Sequence, residues 1–159
     1  MKMIDGIPEI IEGIAYYAHV DTPVADYNES MNPGTGKFGW EVNVAVSDEV
    51  FLQFKQAGFN AGLHEAGSRK YTPDPVITFY KWASNFNGTA NMAPIVVDTD
   101  KQRVDYKIGN GSRIAIQWAA LSYGKVKKIK RPSMNAVQIL DLVEQGESQQ
   151  TFTEDRMAF

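Results

Sequence analysis

Cysteine is absent from the sequence, and histidine occurs only twice, as His19 and His64. Without cysteine the chain has no disulfide, no thiolate nucleophile and no cysteine-ligated zinc site, which fits a reducing compartment. Neither histidine belongs to an H-E-x-x-H pattern that would place two metal ligands on one helix face. We therefore expect both histidines to be surface or loop residues, and we expect no cofactor and no metal.

Long apolar runs are also missing. Residues 1–14 include Asp5, Pro8, Glu9 and Glu12, so they lack the cationic start and the unbroken apolar stretch of a signal peptide. No segment approaches the length that crosses a bilayer. These features favour a protein that works inside the cell, away from membranes.

An excess of positive charge is missing too, because the formal net charge is −3. This average speaks against nucleic acid, a polyanion that proteins hold with Lys and Arg. The charge is uneven, however: residues 141–159 hold five acidic residues and one basic residue. Nine of the sixteen basic residues fall within residues 101–131, where they can form a positive face on an acidic protein.

The hydrophobic pattern predicts mainly strands. Residues 37–46 alternate, and their large apolar side chains share one face: Phe38, Trp40, Val42, Val44 and Val46. Further strands are predicted over residues 10–20, 76–85, 94–98, 113–123 and 134–143. Turn-forming residues are concentrated between them, in residues 21–36, 62–75 and the basic loop 124–132.

One helix is predicted over residues 47–57. Ser47 can cap its start, Asp48 and Glu49 suit the positive helix N-terminus, and Gly58 can end it. Strands with one helix at this length favour a small closed β-barrel. We predict a mainly β fold, an OB-fold-like five-stranded β-barrel with one helix and long loops, over residues 1–144, followed by a flexible acidic tail over residues 145–159.

Few residues of the sequence could form a catalytic site. Asp98, Asp100 and Asp105 are a conceivable magnesium cluster, but the basic residues among them favour a charged surface turn. The glycine-bearing residues 108–112 lack the Lys-Ser/Thr of a phosphate-binding loop and do not lead into a helix. No nucleophile has an evident base. We therefore expect a protein without enzymatic activity.

Aromatic and basic side chains are interleaved along the chain, a mixture that binds single-stranded nucleic acid by stacking and phosphate contacts. In residues 76–82, Thr78, Tyr80 and Trp82 share one face, while Phe79 and Lys81 share the other. Since both faces carry rings, one aromatic set can be exposed. We predict a DNA-binding set of twelve residues: Tyr16, Lys37, Trp40, Tyr80, Lys81, Trp82, Arg113, Trp118, Tyr123, Lys125, Lys127 and Lys128.

Two points in this set have alternatives. Most aromatic residues of a small barrel belong to its core, and the lysine-rich residues 125–131 can equally be a solvated hairpin tip. The adjacent Tyr16 and Tyr17 are predicted to point to opposite faces, because side chains alternate along a strand.

Three segments resemble the single-stranded DNA-binding proteins of tailed bacteriophages, in particular the OB-fold type with an acidic C-terminal tail found in short-tailed phages. They are Ile-Gly-Asn-Gly-Ser at 108–112 before an alternating strand, Pro-Ile-Val-Val-Asp at 94–98, and the last strand, Asn-Ala-Val-Gln-Ile-Leu-Asp-Leu-Val-Glu at 135–144. The end of the chain, Glu-Asp-Arg-Met-Ala-Phe at 154–159, adds to the likeness. The first half matches only in general pattern.

The resemblance implies non-catalytic coating of single strands in phage DNA replication, recombination and repair, in the host cytoplasm. It also implies a tail that mimics DNA in the protein's own groove and contacts replication partners such as the polymerase and helicase, here through Glu154, Asp155 and Phe159. A homodimer is left open. The alternatives are a β-barrel virion or assembly protein that binds a protein partner, and a small metal-dependent nucleic-acid enzyme.

Overall fold

The computed structural model describes residues 2–25, 38–84, 89–124 and 128–144. Nine strands and one helix lie within these residues: β1 (Met3–Ile4), β2 (Ile7–Pro8), β3 (Ile10–Ala25), β4 (Phe38–Ala45), α1 (Asp48–Gln56), β5 (Leu63–His64), β6 (Val76–Trp82), β7 (Ile95–Val97), β8 (Arg113–Tyr123) and β9 (Ile129–Asp141). The fold is mainly β with one helix and OB-fold-like, as the sequence predicts. Within the described residues, the helix is not long and apolar enough to cross a membrane.

Seven strands form one sheet in the order β5-β6-β4-β3-β8-β9-β7, and β1 and β2 form a separate hairpin. All neighbours in the large sheet are antiparallel except β7 and β9, which are parallel. The long strand β3 joins the two halves of the sheet. Its first part, from Ile10 to Ile14, pairs with β8, and its later part, from Ile14 to Ala25, pairs with β4.

The sheet curls until β6 approaches β9, but among the described residues these two strands do not pair directly. The segment between α1 and β5 bridges the gap instead. The Thr78 N–H on β6 donates to the Gly62 carbonyl at 2.7 Å, and the Asn60 N–H donates to the carbonyl of Lys130 on β9 at 3.0 Å. The five long strands, β3, β4, β6, β8 and β9, match the predicted OB-fold-like five-stranded barrel, with two short edge strands in addition and a loop between β6 and β9.

The helix forms where local signals predict it. The Ser47 hydroxyl oxygen accepts a hydrogen bond from the Val50 N–H at 3.2 Å, and Gly58, just past the last turn, has a φ of 90°. Such a left-handed residue after a helix suits glycine, which has no Cβ to clash. Phe51 and Phe54 point into the core, where burial stabilises the fold by roughly 1.5–3 kcal/mol for each side chain.

Several elements differ from the predicted pattern. The short strand β5 lies within residues predicted to be irregular, and β6 ends at Trp82 rather than at 85. Strand β9 begins at Ile129, before the predicted start at 134, because it pairs with the full length of β8.

Candidate nucleic-acid interface

One face of strands β3, β4 and β6 is turned away from the core, and we call it the outer face. In β4 the buried Trp40 and Val42 belong to the core cluster, so Glu41 lies on the opposite side of the strand. The register places Glu41 beside Tyr80 of β6, and the same alternation brings further pairs to this face: Gly39 with Trp82, and Asn43 with Thr78. The predicted division of residues 76–82 into two faces is confirmed.

A first group of rings, the tryptophan cluster, consists of Tyr80, Trp82, Tyr123 and Arg131. The Trp82 ring centroid lies 4.8 Å from that of Tyr123 and 5.8 Å from that of Tyr80, both edge to face. The Arg131 guanidinium lies 4.9 Å from the Tyr80 ring centroid and 5.9 Å from that of Trp82, within cation–π range. Trp82 and Tyr123 are partly exposed, whereas Tyr80 is only 2% exposed.

Gly39 explains how Tyr80 becomes buried on an outer face. A Cβ at position 39 would collide with the end of the Tyr80 ring, so the missing side chain leaves room for the ring to lie on β4. Tyr80 thus supports Trp82 and Arg131 from beneath and presents little surface of its own. Its predicted role as an exposed stacking ring is corrected to a supporting one in this structure.

A second group, the tyrosine cluster, consists of Tyr16, Tyr17 and Tyr71. The Tyr71 ring, from the loop before β6, lies 4.6 Å from the Tyr16 ring and 5.3 Å from the Tyr17 ring, centroid to centroid. Burial raises the pKa of the Tyr71 phenol, while the nearby charge of Arg69 opposes that rise. Tyr17 is exposed, and the other two rings are partly exposed.

Tyr16 and Tyr17 contact the same ring, so the prediction that they point to opposite faces is wrong. The pairing of β3 with β4 shifts register between Tyr16 and His19, and Tyr17 has a φ of 49°. A β-bulge with one left-handed residue breaks the alternation of side chains and turns both tyrosines toward Tyr71. The Asn110 side-chain oxygen accepts a hydrogen bond from the Tyr17 N–H at 2.7 Å and holds this backbone in place.

A chain of polar side chains lies beside the tyrosine cluster. The Arg69 Nη2 lies 2.8 Å from His64 Nδ1 and, because arginine only donates, His64 Nδ1 must accept. His64 Nε2 then carries the proton and donates to the Thr78 hydroxyl at 2.9 Å. Thr78 donates to the Asn43 side-chain oxygen at 2.6 Å, and the Asn43 amide donates to the Tyr16 carbonyl at 3.3 Å.

This chain requires a neutral His64. Burial lowers the pKa of His64 below its ordinary value of 6.5, and the positive charge of Arg69 lowers it further. Both histidines lie on strands, His64 on β5 and His19 on β3, and both are partly buried. Both histidines are thus partly exposed residues of strands and not of loops.

Two of the predicted stacking residues are in the core. Trp118 is 1% exposed, packs against Phe54 at 4.8 Å between ring centroids, and donates from its indole N–H to the Pro8 carbonyl at 2.8 Å. Trp40 is 6% exposed and belongs to the same core cluster. Neither ring offers a face to a base in this structure, so we remove both from the proposed interface.

The predicted cations are only partly brought together. Lys81 alternates with Tyr80 and Trp82 and lies on the other face of β6, so it does not join the outer face. Arg113 is exposed and pairs with Glu12 at 3.3 Å, at the opposite end of β8 from Tyr123 and about 33 Å from it along the strand. Lys128 is exposed just before β9.

Other predicted residues fall outside the part of the chain that the structure describes. They are Lys37, Lys125 and Lys127, together with the tail residues Glu154, Asp155 and Phe159.

The predicted twelve-residue set lacks five residues that belong to the two clusters or to the polar chain beside them: Tyr17, His64, Arg69, Tyr71 and Arg131. Tyr71, Arg69 and His64 come from a turn-rich segment without periodicity, so nothing local indicated their position. Arg131 lies within the basic residues 125–131. Selecting it in preference to the neighbouring lysines would have required the register of β9, which the sequence alone does not give.

The candidate metal ligands have another role. The Asp98 carboxylate accepts hydrogen bonds from the Asp100 and Gln102 N–H groups, each at 2.9 Å, and so closes a turn after β7. Within the described ranges, no three His, Asp or Glu side chains come close enough together to hold a metal ion.

No protein-family model matches the chain, and no curated protein matches it. Several solved structures do. The gp2.5 single-stranded DNA-binding protein encoded by bacteriophage T7 superposes with a TM-score of 0.56 at 12% identity, covering 93% of this chain and 97% of that one. The single-stranded DNA-binding protein of bacteriophage Enc34 in complex with single-stranded DNA gives a TM-score of 0.59 at 11% identity, covering 84% and 85%.

A C-terminally truncated form of the Enc34 protein gives a TM-score of 0.57 at 12% identity, over 84% of both chains. At these identities the likeness concerns the fold. It extends over most of the chain, including the first half, where the sequence resembles that family only in general pattern. The chain therefore has the fold of the single-stranded DNA-binding proteins of these phages.

Proposed function

We propose that this chain is a sequence-tolerant single-stranded DNA-binding protein whose DNA lies across the outer face of β3, β4 and β6. The observation that carries the proposal is the position of the tyrosine and tryptophan clusters on one face, each with an arginine beside it. Arg69 accompanies the first cluster and Arg131 the second. Rings with adjacent cations suit a strand whose bases stack and whose phosphates meet positive charge.

The two clusters are arranged along the direction of β6, so one extended DNA strand can contact both. Thr78, which the polar chain links to Tyr16, and Trp82 are four residues apart on β6, about 13 Å along the strand. Each stacked base contributes roughly 1–3 kcal/mol, so bases on both clusters together with several phosphate contacts give useful affinity. The Arg131 guanidinium lies over the Tyr80 and Trp82 rings, so it brings a positive charge to the tryptophan cluster.

The structural relatives support this function over the alternatives. One is a phage single-stranded DNA-binding protein, and another was solved with single-stranded DNA bound. By analogy, we propose that the chain coats single strands during phage DNA replication, recombination and repair in the host cytoplasm, without catalysis. Nothing in these likenesses favours the virion or assembly alternative.

Two groups of lysines that adjoin described strands in the sequence belong to the proposal as predictions. Lys37 precedes β4, and Lys125, Lys127 and Lys128 lie between Tyr123 and β9, so both groups fall next to strands of the interface. We propose that these lysines contact phosphates beyond the stacked bases. Because exposed charges act over about 8–10 Å at ordinary salt, they need not touch the DNA to strengthen binding.

We further propose that residues 1–144 form the DNA-binding domain and that residues 145–159 form a detachable acidic tail. Carboxylates imitate phosphates and a terminal ring imitates a base, so Glu154, Asp155 and Phe159 have the chemistry to compete with DNA. The same groups are proposed to contact a replicative polymerase or helicase when DNA displaces them.

The test is titration of a labelled oligo-dT with the full chain at rising salt. We expect micromolar or tighter binding at low salt, and a logarithmic affinity that falls linearly with the logarithm of salt concentration. A blunt duplex of equal length should bind much more weakly. Absence of binding at low salt, or binding that is indifferent to salt, would refute the proposal.

A matched pair of variants locates the interface. Arg69→Gln should make the slope of logarithmic affinity against logarithmic salt concentration less steep by about 0.7, the value for one lost phosphate contact on a single DNA strand. Lys101→Gln removes the same charge from an exposed position after β7, at the other edge of the sheet, and should leave the slope unchanged. Equal slopes for both variants would exclude Arg69 from the contact.

A further inference from the structure

One acidic side chain lies among the rings of the outer face. Glu41 is partly exposed, and its cross-strand neighbours are His19 on β3 and Tyr80 on β6. None of the ion pairs found among the described residues involves its carboxylate. A free negative charge at the centre of a surface that binds a polyanion calls for a physical explanation.

The Glu41 carboxylate acts on the tyrosine cluster. The pKa of the Tyr71 phenol is raised mainly by burial, and the charge of Arg69 opposes the rise. Three neighbours raise it further: Tyr17, Tyr16 and Glu41. The strand register agrees with this: Glu41 lies on the same face of β4 as Asn43, two residues further on, and Asn43 pairs with Tyr16 of the tyrosine cluster.

The two charges suit different parts of a nucleotide. A base that stacks on a ring turns its edge toward the sheet, while its phosphate stays on the solvent side. Arg69 can meet the phosphate, whereas a carboxylate close to the sheet meets the base edge. A carboxylate only accepts hydrogen bonds. On the base edge that faces the major groove of a duplex, cytosine and adenine carry an amino group that donates, whereas thymine and uracil carry the acceptor O4 there, so Glu41 separates these bases when it faces that edge.

We propose that Glu41 accepts a hydrogen bond from the exocyclic amino group of a base stacked at the tyrosine cluster. The interface then favours amino-bearing bases, such as cytosine, over thymine at this one position. This inference rests on the proposed function and adds a base preference to it. The other polar side chain on this stretch of β4, Asn43, is engaged with Thr78 and Tyr16, which leaves Glu41 as the acceptor available to a base.

The test compares oligo-dC with oligo-deoxyuridine of equal length near neutral pH. Both are pyrimidines, and deoxyuridine lacks the methyl group of thymine, so the two strands differ only on the base edge. We expect the full wild-type chain to bind oligo-dC more tightly by roughly tenfold, the size of one charge-assisted contact. In Glu41→Gln the ratio should fall to within about twofold, because an amide both donates and accepts.

Glu49→Gln is the matched control, since it removes the same charge from an exposed position in the first turn of α1. It should change both affinities equally and leave their ratio at the wild-type value. Equal binding of the two strands by the wild type, or a ratio that Glu41→Gln leaves unchanged, would overturn the inference while preserving the proposed function. Failure to bind either strand would instead overturn the proposed function.

Discussion

The Asn110 side-chain oxygen accepts a hydrogen bond from the Tyr17 N–H at 2.7 Å, although the two residues are 93 positions apart in the sequence. The loop around Asn110 is anchored to the same strand by two further bonds, from the Gly111 N–H to the Ala15 carbonyl at 2.9 Å and from the Ala15 N–H to the Ser112 carbonyl at 2.8 Å. The glycine-bearing loop thus has a structural role, which is to hold the bulge that directs two tyrosines to one face.

Asn110→Ala should release this bulge. The lost hydrogen bond contributes roughly 0.5–1.5 kcal/mol, and the left-handed φ of Tyr17 that it holds is costly for a residue with a side chain. We expect a small fall in the free energy of unfolding and a clear fall in affinity for oligo-dT, measured by chemical denaturation and by titration. Asn135→Ala, at an exposed position on β9, is the control, and wild-type affinity in Asn110→Ala would contradict this role.

Alanine variants of the two tryptophans should differ in what they weaken: the Trp82 variant in DNA affinity and the Trp118 variant in stability. Trp82→Ala removes a partly exposed ring from the tryptophan cluster, so affinity for oligo-dT should weaken by about 1–3 kcal/mol with little change in unfolding. Trp118→Ala removes a buried ring from the core and should lower the free energy of unfolding by about 3–5 kcal/mol. Thermal unfolding and titration of both variants would show whether the two effects divide in this way.

Stability should depend on His64 at mildly acidic pH. Because the folded-state pKa of His64 lies below 6.5, the unfolded chain binds a proton at higher pH than the folded chain does. The contribution of His64 to stability is therefore complete above about pH 6.5 and falls as the pH drops below it, through the folded-state pKa.

His64→Gln is the informative variant for this prediction, since its amide can accept from Arg69 and donate to Thr78 without titrating. Denaturant unfolding at about pH 7.5 and about pH 5.5 should show a smaller loss of stability in His64→Gln than in the wild type. His19→Gln lies outside the polar chain and should keep the wild-type loss. An equal loss in all three proteins would exclude His64 as the source.

Deletion of residues 151–159 should strengthen DNA binding if the end of the chain competes with DNA. The deleted residues include Glu154, Asp155 and the terminal Phe159. The gain should shrink at high salt, because the competition is partly electrostatic. Equal affinity of the truncated and full chains for oligo-dT at low salt would remove the DNA-mimic hypothesis and leave the interface itself unaffected.

Much of the fold follows from local signals in the sequence. Ser47 and Gly58 set the helix ends, strand β8 occupies the predicted residues, and alternation in β6 separates Trp82 from the core-facing residues. Alternation in β8 likewise places Trp118 on the same face as the buried Ile116, so the sequence pattern itself indicates that this ring is buried. The two short edge strands are too brief to show a period.

The candidate site is less predictable because long-range contacts assemble it. Tyr71 reaches Tyr16 from an irregular loop, and the bulge at Tyr17 depends on Asn110 across the sheet. Local alternation assigns Tyr17 to the wrong face, since a bulge adds one residue that pattern rules do not contain. Residue types therefore predicted the chemistry of stacking and charge, while only the structure identified which rings lie together.

The central claim is that bases stack on the outer face, and tryptophan fluorescence tests it most directly. The chain has three tryptophans, and two of them, Trp40 and Trp118, are buried, so a change caused by DNA should come from Trp82. Titration with unlabelled oligo-dT at low salt should quench the emission of the wild type, and Trp82→Phe should lose most of that quenching while still binding. Unchanged wild-type emission on binding, or equal quenching in Trp82→Phe, would contradict the account.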